Sequence, residues 1–94
     1  MKPIDFSALP GGDLIRRGLE DLASGRESEE SLLVLIGAPR LRALGIHVPD
    51  TNTSVPEHRL YDRLAAADSD SAHSRYNALI RRLVSFERAL ACVA

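Results

Sequence analysis

His58 and Asp62 stand four residues apart, so a helix would set them on one face as two ligands for a metal ion. A metal centre needs three or four converging ligands, and spacing supplies only two, with His47 and His73 elsewhere in the chain. The helical wheel also turns His58 and Asp62 away from the Leu60/Leu64 face, toward solvent. Cys92, the single cysteine, has no neighbouring His or basic residue to depress its thiol pKa, which makes it a poor nucleophile. The glycines of "PGGD" at 10–13 match neither a dinucleotide fingerprint nor a P-loop, and no strand precedes them. These residues point to no enzyme, no cofactor and no metal.

Binding chemistry is better represented. On a C-terminal helix, Arg75, Arg81, Arg82 and Arg88 fall within roughly 140° of one another, opposite an apolar arc. Such a stripe is most simply a solvated face paired with the acids of "YDRLAAADSD". It is also a surface that a carboxylate or phosphate group would suit, because guanidinium forks bind both bidentately. Glu87 falls inside the apolar arc, between Leu83 and Leu90. A lone buried carboxylate is costly, so Glu87 must reach solvent or meet a donor such as Tyr61, His58 or an arginine. A residue of this kind can fix the register of a helix pairing.

The stretch "SLLVLIGAPRLRALG", residues 31–45, reads as an apolar helix, a Gly-Ala-Pro break and a short helix beginning at Pro39. It is a degenerate version of a helix-turn-helix over residues 29–44, in which Arg40 and Arg42 would contact bases. Gly45 limits the second helix to about one and a half turns. The first is apolar all round, and neither flank is strongly basic. Two buried helices joined by a breaker turn are the expected arrangement.

Periodicity supplies the elements that position these residues. A first helix is expected over about 10–24, with Ile15, Gly18, Leu19 and Leu22 on one face and Gly25 as its stop. Gly18 in mid-helix suggests a close helix crossing. Ser28 is a good N-cap for a second helix that Gly37 ends. Val48 and Pro49 lie in an extended loop at 46–54. Ser54 with Glu57 matches a capping box for a third helix whose face carries Leu60, Tyr61, Leu64 and Ala67. "DSDS" at 68–71 is a loop before the longest, C-terminal helix, which carries Tyr76, Leu79, Ile80, Leu83, Phe86 and Leu90. Leu33, Leu35, Ile36, Leu79, Leu83 and Phe86 should share one core. The fold expected is all-α: a small bundle of four main helices plus one short helical turn, in one domain over 1–94 with an N-terminal arm at 1–9.

Composition bounds the function. The chain has 94 residues, of which 45% are hydrophobic. A chain this small buries only roughly 60–65% of its unfolded surface, so self-association is an effective way to bury more. The net charge of −1 disfavours a polyanionic partner. Eleven of the twelve basic residues are arginine, the mark of a GC-rich bacterial genome. A lone cysteine fits a reducing cytoplasm. No apolar run approaches a membrane span, and the N-terminal "MKPIDFSALPGGD" lacks a signal-peptide core. The expectation is a bacterial cytoplasmic, non-catalytic protein-interaction module that acts as a homodimer and presents a surface to another protein. A nucleic-acid-associated regulator is the alternative.

Overall fold

A computed structural model describes residues 6–93. A 3-10 turn, Phe6–Ala8, leads into four helices: α1 (Gly12–Ala23), α2 (Glu29–Ala43), α3 (Pro56–Ala67) and α4 (Ala72–Val93). No strand occurs among the described residues, and the longest helix is the C-terminal one. No described helix is long and apolar enough to cross a membrane.

α2 is the centre of the bundle and packs against α1, α3 and α4. Leu32, Leu33 and Val34 have no exposed surface, as an apolar run without a polar face requires. Ser28 caps the helix. Its hydroxyl accepts the Ser31 N–H (3.0 Å), and the Ser31 hydroxyl accepts the Ser28 N–H (2.8 Å). Glu29 and Glu30 complement the positive end of the helix dipole. α1 and α2 both close in the same way. Gly25 and Gly45 take left-handed φ values of 72° and 96°. The amide two residues past each C-cap then bonds back, Arg26 to the Asp21 carbonyl (2.8 Å) and Ile46 to the Leu41 carbonyl (3.0 Å).

The expected break within residues 31–45 is absent. α2 runs unbroken from Glu29 to Ala43, with Pro39 inside it. An interior proline forfeits one ladder hydrogen bond and crowds the carbonyl four residues back, at a cost of about 3 kcal/mol. Packing on both sides of Pro39 opposes that cost. Ala38 and Leu41 lie in the same core as Leu33 and Val34, so a kink would pull one half of the helix out of it. Gly37 is not a stop. A Cβ there would lie 2.8 Å from Leu83 Cδ1, so its missing side chain admits α4. The one short helical turn is therefore at Phe6–Ala8, not at residues 39–44.

Gly18 performs the same service for α1. A Cβ at that position would lie 2.4 Å from both the Glu30 carbonyl oxygen and Val34 Cγ2. The two backbones meet there, as the mid-helix glycine suggested. α1 begins later than expected, after Gly11, which adopts φ 75° beneath the Arg82 carbonyl, so Pro10 precedes the helix.

The third helix also starts differently. Val55, at φ 49°, occupies the N-cap of α3 and no side chain caps it, so Ser54 and Glu57 form no capping box. Pro56 supplies the first helical residue and needs no N–H partner. Leu60 and Leu64 are fully buried, whereas Tyr61 and Ala67 lie at the surface. Tyr61 instead packs its ring against Tyr76 of α4, with centroids 5.8 Å apart. At the next junction Asp68 accepts the Asp70 N–H (3.1 Å) and the Ser71 hydroxyl (2.9 Å), a side-chain turn that launches α4.

One core unites Leu33, Leu83 and Phe86 with Ile15, Leu41, Leu60, Leu64 and Leu90. Leu35, Ile36 and Leu79 pack against its margin and are only partly buried.

Candidate functional site

The arginines of α4 divide into two kinds. Arg75 donates to Glu29 of α2 (3.3 Å), and Arg82 reaches Asp13 of α1 (3.4 Å). Both sit at the edge of the apolar arc and tie α4 to its neighbours. Their partners are not the acids of residues 61–70, which lie on the α3 side of the bundle. Arg81 and Arg88 are exposed and form no ion pair among the described residues. The stripe is thus two structural ties and two solvated cations.

The arginines at the end of α2 also part company. Arg42 is committed to the loop: its Nε and Nη2 both donate to the Val48 carbonyl (3.2 and 2.9 Å), and Nη2 also meets Asp50 (3.1 Å). This clamp fixes the 46–50 segment while Val48 enters the core. With α2 continuous, no separate second helix exists to carry Arg40 and Arg42 into a groove. Arg40 is exposed in the last turn and joins no ion pair among the described residues.

Glu87 lies where α4 crosses α2. Its Oε2 stands 3.3 Å from the point a Gly37 Cβ would occupy, so it uses the space that the glycine leaves. The residue is half-buried. Loss of water pushes its carboxyl above the ordinary glutamate value, and the Arg40 charge pulls the other way. Neither His58 nor Tyr61 hydrogen-bonds to it. Around this point α4 shows a half-buried row, Tyr76, Ile80, Val84 and Glu87, at helical spacing.

The metal reading gains no further ligands. His58 and Asp62 are exposed, and no group of three or more His, Cys, Asp or Glu converges among the described residues. His73 Nε2 lies 3.2 Å from the Asn77 amide on the same helix. Cys92 is exposed near the chain end.

Two polar clusters join side chains that no helical spacing relates. Glu27, in the α1–α2 loop, is bound by Arg59 and lies 3.9 Å from Arg63, so it pins α3 to the loop. Arg59 and Arg63 are four apart, but nothing local in the sequence assigns them to a residue some thirty positions away. Asp21 receives the Ser28 hydroxyl (2.6 Å) and pairs with Arg26 (3.1 Å). The Ser28 hydrogen bond, assisted by Arg26 and opposed by partial burial, holds the Asp21 carboxyl below its ordinary range. A shallow cleft of about 270 Å³ opens beside this cluster, with Leu22, Leu32 and Leu35 below and Arg26, Thr51 and Thr53 at its edge. Both charges that line it are already engaged, Arg26 by Asp21 and Glu27 by Arg59.

Ser28→Ala should cost about 0.5–2 kcal/mol at neutral pH, the usual range for a lost N-cap. A carboxyl whose folded pKa is depressed stabilises the fold above its unfolded value of about 3.9, and that contribution disappears as pH falls through the folded pKa. The cost of Ser28→Ala should therefore shrink in acid. Urea titrations of both proteins at neutral and acid pH check this, and a pH-independent difference would show that the cap alone matters.

Comparison with known protein families, curated proteins and solved structures yields no match to this chain.

Proposed function

We propose that this chain is a non-catalytic interaction module that works as a homodimer and offers a surface to a second protein. The observation that supports this reading is the row on α4. Tyr76, Ile80 and Val84 are only partly buried after the bundle has closed, so α2 and α3 leave a margin of the apolar arc uncovered. Apolar area left in water is lost stabilisation of about 25 cal/mol per Å², which pairing would recover. A two-fold pairing presents the same patch from both protomers and needs no second binding surface. The proposed setting is the bacterial cytoplasm, where the exposed Cys92 thiol would stay reduced.

Sedimentation equilibrium at micromolar concentration tests the proposal. The wild-type chain is expected to be a dimer, and Ile80→Glu is expected to be a monomer with an unchanged helical circular-dichroism spectrum. A wild-type monomer at these concentrations would overturn the reading. Tight nucleic-acid binding that weakens steeply with salt would favour a regulator instead, acting through Arg81 and Arg88.

A further inference from the structure

We infer that the dimer interface is the seam between α2 and α4, and that across it Glu87 of one protomer pairs with the partner's Arg40. This inference rests on the homodimer reading and adds the surface and the register.

Geometry selects the seam. Gly37 lets α4 approach α2 closely, with Leu83 filling the crossing and Glu87 beside it. Ile36 and Arg40 lie one turn apart on α2, and Ile80, Val84 and Glu87 follow one another up α4. Ile36, Ile80, Val84 and Glu87 are all partly buried, and Arg40, one turn past Ile36 on α2, is exposed. The patch is an apolar strip with one acid and one base at its end.

Charge identifies the occupant. A two-fold axis brings a patch against its own copy, so a patch must be complementary to itself. A strip bearing only acid or only base would repel its copy. This one carries both signs, Glu87 and Arg40, and neither forms an ion pair with another described residue. No ion pair joins Arg40 and Glu87 within the chain, so each retains hydrogen-bonding capacity for a partner. Ile36, Ile80 and Val84 would lose their remaining exposure in the same step. Removal of water would strengthen the exchanged pair.

The test is a charge-reversal cycle in the full chain, read by sedimentation equilibrium, with circular-dichroism melts to confirm folding. Glu87→Arg and Arg40→Glu should each weaken self-association at least about tenfold, since each sets like charges against one another. The double variant should recover wild-type association to within about threefold. Glu87→Gln, a milder change, should give an intermediate loss and serves if either reversal fails to fold. A wild-type dimer that neither reversal weakens would overturn the seam and leave the homodimer reading standing. Single losses that the double variant does not rescue would overturn the pairing of Glu87 with Arg40. Reversals that lower the melting temperature but not association would make the pair internal to one chain. A monomeric wild type would remove the homodimer reading itself.

Discussion

Replacing Phe86 with alanine is expected to cost about 3–5 kcal/mol, the range for truncating a buried aromatic ring. Phe86 has no exposed surface. It meets Phe6 edge-to-face, with centroids 5.6 Å apart and ring planes at 73°, a geometry that aligns the positive ring edge with the negative face. Its Cβ lies 3.4 Å from the position a Gly11 side chain would take, so the ring sits directly under the start of α1. One side chain thus fastens the N-terminal turn and α1 to α4. Domains of this size hold only about 5–15 kcal/mol in total, so the variant should lose roughly a fifth or more of its stability. A urea titration reads this as a lower midpoint at unchanged slope. Phe6→Ala added to Phe86→Ala should cost far less than Phe6→Ala alone, because the contact it would break is already gone. A loss under about 1 kcal/mol for Phe86→Ala would mean that the surroundings collapse into the vacated space.

The sequence signals that proved legible were those that physics keeps local. Amphipathic spacing of Leu14, Ile15, Gly18 and Leu22 defines α1, and the same rule turns Leu83, Phe86 and Leu90 inward on α4. Ser28 caps α2 because its hydroxyl needs only a backbone amide three residues on. The misread positions depend on distant partners. Gly37 and Pro39 are helix breakers by intrinsic preference, yet Leu83 and the shared core hold them in α2. Ser54 and Glu57 have the spacing of a capping box, but Val55, in the left-handed region, takes the helix start instead. For the candidate site, the wheel alone set Glu87 within the apolar arc and Arg75, Arg81, Arg82 and Arg88 on one side. It could not show that Arg75 and Arg82 are tied to Glu29 and Asp13, or that Glu87 uses the space Gly37 leaves. Those facts belong to the packing of α1 and α2 against α4, which no single-helix periodicity encodes.

The second large effect is expected at Gly18, where the sign of the change is itself diagnostic. Helix propensity alone predicts that Gly18→Ala stabilises by about 1 kcal/mol, since glycine in a helix interior is that much poorer than alanine. The crossing with α2 predicts the reverse. A methyl group would stand 2.4 Å from the Glu30 carbonyl oxygen and 2.4 Å from Val34 Cγ2. Val34 has no exposed surface and therefore little room to turn away. The Glu30 carbonyl is backbone in the first turn of α2, which the Ser28 cap and the Asp21 contact both restrain. The helices must separate, and overpacking of this kind costs typically about 1–3 kcal/mol. Gly18→Ala is therefore expected to be a net loss, and Gly18→Leu a larger one. Val34→Ala placed in the Gly18→Ala background removes one of the two obstructions but opens space of its own, so only partial recovery should follow. Chemical denaturation of the three variants measures this. A stabilised Gly18→Ala would mean that α1 and α2 can part enough to admit a Cβ that would otherwise stand 2.4 Å from Glu30 and Val34.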